Sequence, residues 1–239
     1  MPSLFIFRRS HQFFIVQLFC ECFSCIFANN INIPMRILHL SDTHGQHRKL
    51  TALPAADIFV HSGDITEEGT WDEVADFVNW MRDLPYRHKI FVAGNHDLCL
   101  HGALEISGMD ENAHYLYNSG IEIDGFYFYG VPMFMQDIVD GNYDARFTKI
   151  PDKTDILITH DTPFGILDWA DYGRGMEHRG NRMLRQRVDE VAPRYHLFGH
   201  EHTTYGTVKE GGTVFSNAAL RERGIVFAHA PKVFEVGLR

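Results

Sequence analysis

Five short apolar segments of this 239-residue chain each lead into a group of Asp, Asn or His residues. Continuous apolar segments of this length are typical of strands that are buried on both faces of a sheet. Ligand sites in α/β sheets gather just outside the carboxyl ends of the strands. The sequence therefore predicts a sheet fold with a polar site along one edge. The five segments are 36–41, 57–62, 89–93, 155–159 and 195–198.

Apolar residues at helical spacing separate some of these strands. They predict a helix over 71–84, which Pro85 ends, and a second helix over 184–191 with Asn181 as its N-cap. Further strands are predicted at 121–123, 126–131, 213–216 and 233–236. Because these strands follow one another largely without helices, two mixed β-sheets should pack face to face. We predict an α/β fold with helices on the outside, a four-layer α-β-β-α sandwich.

The polar groups that follow the five strands are the candidate site residues. Each motif alone has an ordinary explanation, since a histidine after a strand is often structural and Asn-His-Asp can form a simple turn. Five such groups in order, each at a strand end and often beside glycine, are not explained by turns alone. The groups contain Asp42 and His44, Asp64, Asn95 with His96 and Asp97, His160, and His200 with His202.

These side chains offer oxygen and nitrogen donors that suit divalent cations. Seven of them, all except His96 and Asp97, are too many for one tetrahedral zinc. They suit two ions that share one carboxylate, of which manganese, iron and zinc are equally plausible. Such a pair activates a water molecule as a hydroxide nucleophile and clamps the oxygens of an in-line displacement. His96 directly follows Asn95, so it should lie beside the ions and could protonate a leaving alkoxide.

The charge balance limits the partners of the chain. There are 31 Asp and Glu residues against 22 Lys and Arg, which gives a net charge of −9. A chain of this charge has no net positive field for non-specific binding to DNA, so no stable nucleic-acid binding is expected. Bound cations can still reverse the sign locally, and a small anionic substrate therefore remains compatible with the composition.

The first 34 residues differ from the remainder of the chain. They contain three of the four cysteines and an apolar segment over 13–28 that is too short to span a bilayer. We interpret residues 1–34 as an upstream extension and 35–239 as a single domain, with a secretory or membrane-targeting leader as the alternative. Without the extension only Cys99 remains, which indicates a reducing cytoplasm and excludes a cysteine-based zinc site.

The combined motifs resemble the calcineurin-like metallophosphoesterase superfamily, from about residue 36 to the end of the chain. The brain-type branch, named for its metallophosphoesterase domain, is the more similar part of that superfamily. Its likeness is carried by Ile158-Thr159-His160, Gly165-Ile166-Leu167-Asp168-Trp169, His196-Leu197-Phe198-Gly199-His200-x-His202, Tyr205-Gly206 and Asn217-Ala218. Asp161 departs from the pattern of that branch, which usually has a small residue at this position, ahead of its proline. The motifs that carry the superfamily likeness are Asp42-x-His44, Gly63-Asp64, Gly94-Asn95-His96-Asp97, His160 and Gly199-His200-x-His202.

The resemblance implies a role for each of these residues. Asp42, His44, Asp64 and His202 would bind one metal ion. Asp64, Asn95, His160 and His200 would bind the other, with Asp64 bridging the two. His96 would act as general acid or contact the phosphate, and Asp97 would orient it.

The function that follows is hydrolysis of small phosphodiesters, with cyclic nucleotides as candidates. A phosphomonoesterase or protein phosphatase, a nuclease, and a non-catalytic scaffold of the same fold are the alternatives. Arg174, Arg179 and Arg182 lie in a glycine-rich stretch that either binds substrate phosphate or is simply solvated. We expect no membrane association of the domain, and the oligomeric state stays open.

Overall fold

Two mixed β-sheets form the centre of the protein. A computed structural model describes residues 34–171, 173, 175–222, 225 and 227–237, of which Met35–Val236 cluster as one compact unit. The interpretation of residues 1–34 as an extension falls on residues outside this set, except for Pro34. In the described part of the chain, no helix combines the length and the apolar character that a bilayer crossing needs.

The first sheet has five strands. They are β1 at Met35–Leu40, β2 at Ile58–His61, β3 at His88–Phe91, β4 at Ala113–Tyr115 and β13 at Lys232–Val236. Their order across the sheet is β13-β1-β2-β3-β4. β1 to β4 run parallel, and β13 pairs with β1 in the antiparallel direction. The carboxyl ends of β1, β2 and β3 therefore meet at one edge.

The second sheet has six strands. They are β5 at Ser119–Ile123, β6 at Phe126–Val131, β7 at Ile156–Thr159, β10 at Tyr195–Phe198, β11 at Gly206–Glu210 and β12 at Thr213–Asn217. Their order across the sheet is β11-β12-β10-β7-β6-β5. The four inner strands are parallel, and the two edge strands are antiparallel to their neighbours. A separate small hairpin consists of β8 at Trp169–Ala170 and β9 at Glu177–His178.

The helices begin where the sequence supplies a capping side chain. α1 spans Trp71–Arg82 and starts at a capping box in which Thr70 and Glu73 bond each other's backbone N–H groups. α2 is a short helix, Met135–Val139. α3 spans Arg182–Val191, and the Asn181 side chain accepts hydrogen bonds from two free N–H groups of its first turn, as its position predicts.

Three apolar clusters lie between the layers. One packs α1 residues such as Phe77 against the outer face of the first sheet. The second joins the two sheets and includes Ile58 and Ile156. The third packs Leu184 and Val188 of α3 against the outer face of the second sheet. The α/β class, the paired mixed sheets and the flanking helices are thus confirmed.

The sequence prediction missed four strands and one helix. β4, β8, β9 and α2 have two to five residues each, which is too short for a hydrophobic period to be recognised. β11 is an edge strand with the largely polar sequence Gly-Thr-Val-Lys-Glu, and four of its five residues are exposed. Its pairing with β12, rather than an apolar pattern, stabilises it as a strand.

His196 on β10 should make the fold sensitive to acid. Its ring is buried beside Phe198 and Phe215 and hydrogen-bonds the Thr159 hydroxyl at 2.9 Å. Burial lowers its pKa from 6.5 to about 3. As the pH falls below 6.5, the unfolded chain therefore takes up a proton that the folded chain refuses, and stability is lost down to about pH 3.

We expect His196→Gln to remove the loss of stability that His196 causes at acid pH. The free energy of unfolding of the variant, minus that of the unsubstituted protein, should rise by about 1.4 kcal/mol per pH unit as the pH falls from about 6 to about 5. Urea unfolding curves at pH values of about 7.5, 6 and 5 measure this difference, from which all other titrating groups cancel. A difference that stays constant over this range would show that folded and unfolded protein take up the His196 proton equally, so that burial does not lower its pKa.

Candidate metal centre

Four of the predicted metal ligands have left-handed backbone conformations. Asp42 has a φ of 60°, His44 of 44°, Asp64 of 56° and His200 of 67°. Non-glycine residues avoid this region, and each such residue costs about 1–3 kcal/mol unless its surroundings require it. Each of them follows a strand end, where the turn points its side chain back across the edge of the sheets. Strain concentrated in this way is typical of functional sites.

Asp64 lies at the middle of the site. Its carboxylate is 3.6 Å from His44 Nε2 and 3.4 Å from His160 Nε2. It also accepts a hydrogen bond of 2.8 Å from the backbone N–H of His96. The segments that follow β1, β3 and β7 therefore each contribute a neighbour or an anchor to this one carboxylate, which is the position a bridging ligand would need.

Asp42 links the two sheets at the same edge. One carboxylate oxygen is 3.1 Å from His202 Nε2, and the other accepts the backbone N–H of His200 at 3.2 Å. Asp42 follows β1 in the first sheet, whereas both histidines follow β10 in the second. The site is consequently assembled across the two sheets.

His160 is fixed in one orientation by its hydrogen bonds. Its Nδ1 lies 2.9 Å from the carbonyl of Ser62, so that nitrogen carries a proton and donates it. Nε2 then faces Asn95 Oδ1 at 3.1 Å and the Asp64 carboxylate. A histidine anchored through Nδ1 presents Nε2 as a ligand atom. His200 packs edge-on against this ring, with centroids 5.1 Å apart.

The charges of the site are strongly coupled. Burial would raise the pKa of Asp64, but His160 outweighs it and the pKa falls to about 2. Burial would likewise lower the pKa of His160, but Asp64 and then Asp42 raise it to about 10. The carboxylates thus remain ionised and attract positive charge into a buried site. Divalent cations supply such charge without a proton.

The donor set fits metal ions. Both ring nitrogens of His44 are buried and make no hydrogen bond, although unsatisfied buried polar atoms are rare in proteins. Among the described residues, three overlapping groups have ligand atoms within 4.8 Å of one another. The groups are Asp42, His44 and His202; His44, Asp64 and His96; and Asp42, Asp64 and His160.

A family model described as calcineurin-like phosphoesterase matches residues 35–204, which include every one of these residues. The chain belongs to the calcineurin-like phosphoesterase family. The predicted resemblance is therefore confirmed, and with it a family whose members are phosphoric ester hydrolases that use divalent metals.

Two animal proteins and one bacterial crystal structure are similar to this calcineurin-like phosphoesterase. The UPF0046 protein K07C11.7 of Caenorhabditis elegans is 31% identical over 224 residues, covering 84% of this chain and 75% of the relative. The human Metallophosphoesterase domain-containing protein 1 is 31% identical over 218 residues, covering 77% of this chain and 66% of the relative. The crystal structure of TT1561 of Thermus thermophilus shares the fold, with a TM-score of 0.55 and 15% identity over 77% of this chain and 88% of that chain.

His96 of this phosphoesterase lies beside the predicted ligands and is half-buried. Its ring packs edge-on against His44, with centroids 4.6 Å apart. Its Nδ1 is 2.9 Å from the carbonyl of Glu67. The backbone carbonyl orients the ring and leaves Nε2 as the nitrogen that can face a substrate. The site therefore has an oriented imidazole ring next to its carboxylates.

Asp97 occupies a different position from the one expected. Its buried carboxylate accepts hydrogen bonds from the Thr66 hydroxyl and backbone N–H at 2.7 and 2.9 Å, and from the Gly94 N–H at 2.8 Å. These bonds tie the loop after β3 to the loop after β2. The expectation that Asp97 orients the His96 ring is corrected, since Glu67 does so; Asp97 positions the backbone of both loops instead.

Two glycines permit the close approach of the ligand loops. A Cβ atom on Gly94 would overlap the Asp64 carboxylate, and one on Gly199 would overlap Ser41 and Asp42. The chain passes these carboxylates at a distance that only glycine allows. The glycines that precede Asn95 and His200 in the sequence are thus part of the site's construction.

Several positioning residues were not predicted from the sequence. The Ser62 carbonyl anchors His160 and the Glu67 carbonyl anchors His96. The Glu67 carboxylate lies 3.4 Å from His44 Nδ1 and 2.7 Å from the Arg221 guanidinium. Backbone acceptors have no residue signature, and Arg221 is 154 positions from Glu67. Only the proximity of Glu67 to Asp64 in the sequence offered a signal.

The predicted substrate arginines separate in space. Arg179 lines a cavity together with His200 and forms an ion pair with Glu177. Arg182 is exposed on α3 and lies over the ring of Phe164, 3.5 Å from its centroid. Arg174 lies outside the described residues. Of the described pair, Arg179 is thus the one that shares a cavity with a predicted ligand.

Proposed function

We propose that this protein hydrolyses small phosphodiesters, cyclic nucleotides among them, with two divalent metal ions. The observation that carries the proposal is His96 beside the predicted ligand side chains, with its Nδ1 held by Glu67 and its ring against His44. A scaffold that had lost catalysis would not need an oriented histidine at this point. The acidic composition disfavours long polyanionic substrates.

Two groups of residues would hold the ions. Asp42, His44 and His202 would hold one ion, and Asn95, His160 and His200 would hold the other, with Asp64 shared between them. The proximity of Asp42 to His44 and His202, and of His160 to Asn95 and His200, supports this division. Bound divalent ions supply Lewis-acid activation of a water nucleophile near neutral pH and neutralise charge that develops on the phosphoryl group. Manganese, iron and zinc all suit this donor set.

The protein's own residues carry out the remaining chemistry. Ser62 and Asn95 keep His160 in its ligand orientation, so the site is ready before substrate binds. Because Nδ1–H donates to the Glu67 carbonyl, Nε2 of His96 carries a proton only when the ring is an imidazolium. In that form His96 stabilises the phosphoryl oxygens and gives the Nε2 proton to the leaving oxygen, which leaves the ring neutral. Asp97 holds the two loops in register through Thr66 and Gly94.

Hydrolysis of two chromogenic esters tests the proposal. The full chain is stripped of metal and restored with manganese, and bis-p-nitrophenyl phosphate is compared with p-nitrophenyl phosphate. We expect metal-dependent turnover with a higher kcat/KM for the diester. Preference for the monoester would indicate a phosphatase, and absence of turnover with manganese, iron or zinc despite two bound ions would indicate a non-catalytic scaffold. Steeply salt-dependent binding of an oligonucleotide would indicate a nuclease.

A further inference from the structure

A cavity of about 370 Å³ opens beside His200. It lies between the loop that follows β7, the segment around α2, and the stretch that leads into α3. Among the described residues of its wall, His200 is the member of the predicted metal centre. The cavity therefore adjoins the predicted metal centre, close enough for an ester group of a phosphate bound there to reach it.

The lining of the cavity includes one buried carboxyl group. Asp161 is 6% exposed and accepts a hydrogen bond from the Thr162 backbone N–H at 2.8 Å. The Tyr143 hydroxyl is a second neighbour of this carboxyl group. The two oxygens of a carboxylate accept up to about four hydrogen bonds, which is more than one backbone N–H and one hydroxyl supply. The carboxyl group of Asp161 is therefore suited to bind a hydroxyl group in the cavity.

The remaining lining combines apolar and fixed polar groups. Met133 and Ile138 offer carbon surface. The Asn181 amide donates to the Asp144 carboxylate at 2.9 Å, which fixes that acceptor. Arg179 completes the wall with its charge partly balanced by Glu177.

These features select against several kinds of ligand. Two carboxyl groups in the wall disfavour a second anionic group, and Arg179 disfavours a cationic one. Tyr143 is the aromatic side chain of the described lining besides the His200 ring, and it is buried against Phe147, with ring centroids 5.0 Å apart. The wall therefore offers hydrogen-bond acceptors and carbon contacts rather than a stacking surface.

We propose that this cavity binds a neutral, hydroxyl-bearing ester group of the substrate, of the size of a glyceryl or monosaccharide group, with Asp161 as the residue that selects it. The proposal rests on the proposed phosphodiesterase function and specifies its substrate class. The cavity volume lies at the lower end of the range for small-molecule sites, which suits a small ester group.

Two diesters with the same leaving group test the selection. Glyceryl p-nitrophenyl phosphate and methyl p-nitrophenyl phosphate differ only in the group that the cavity would hold. We expect kcat/KM to be about tenfold or more higher for the glyceryl ester, since hydrogen bonds to a carboxylate contribute at this level. Equal kcat/KM values for the two esters would overturn the proposal.

Asp161→Ala should reduce the glyceryl-to-methyl ratio to about twofold or less, because it removes the hydrogen bonds to the glyceryl hydroxyls. Since Asp161 is buried, a thermal unfolding curve accompanies this variant, and Ile138→Trp provides a second one that narrows the cavity from its exposed side. Asp189→Ala, an exposed change on α3, is the control and should keep the full ratio. If both cavity variants retain the glyceryl preference, the selection resides elsewhere.

Direct binding separates this proposal from the proposed function. If neither ester is hydrolysed with any metal, the phosphodiesterase assignment fails. Calorimetric titration of glycerol 1-phosphate and methyl phosphate into the manganese-loaded protein then tests, independently of hydrolysis, whether the cavity binds the glyceryl group. Tighter binding of the glyceryl compound, lost in Asp161→Ala, supports the cavity as its site; equal affinities contradict it.

Discussion

Replacing Asp64 with asparagine is expected to lower kcat/KM for bis-p-nitrophenyl phosphate by at least about 10³-fold. The asparagine keeps the shape of the side chain and can still accept the His96 backbone N–H, which Asp64 binds at 2.8 Å. It removes the negative charge that lies within 3.6 Å of both His44 and His160. No other described carboxylate forms an ion pair with both of these histidines, so the loss should reach both metal positions.

Metal content measured by mass spectrometry should fall in Asp64→Asn from two ions per chain towards one or fewer. Asp189→Asn on the exposed face of α3 is the matched control, which changes the same group and should leave both activity and metal content unaltered. An Asp64→Asn protein with full activity and two bound ions would refute the assignment of Asp64 as the bridging ligand.

Replacing His96 with glutamine is expected to lower kcat by about 10²–10⁴-fold for a diester with an alkyl leaving group, because general acid catalysis contributes at this level. The loss should be much smaller for a p-nitrophenyl ester, since p-nitrophenolate leaves without a proton. A general acid therefore predicts a steeper dependence of kcat on the leaving-group pKa in the variant than in the unsubstituted protein.

The same variant separates catalysis from metal binding. The side chain of His96 is close enough to His44 and Asp64 to form a ligand group with them. We expect His96→Gln to retain two metal ions, because Glu67 binds Nδ1 and the ring is only half-buried. Loss of one ion would instead make His96 a ligand. His101→Gln, a histidine in the turn after the His96 loop that pairs with Asp137 at 3.4 Å, is the control.

The sequence alone determined most of the strands, the two long helices and the set of residues at the strand ends. Apolar segments such as 156–159 and 195–198 have to be buried on both faces, and the parallel pairing of β7 with β10 then places His160 and His200 at one edge. Caps such as Asn181 act through adjacent backbone, so they can be recognised locally. The family motifs could likewise be recognised from the sequence, because each is a short turn of adjacent residues after a strand.

Only the tertiary structure decided how these residues hold one another. Asp97 was expected to orient its neighbour His96, yet its carboxylate bonds Thr66, and the carbonyl of Glu67, 29 positions away, orients the histidine. Such contacts depend on which loops meet when the two sheets pack, and a backbone carbonyl leaves no mark on residue identity. The cavity beside His200 is likewise built from segments far apart in the chain, because packing places them around the same edge.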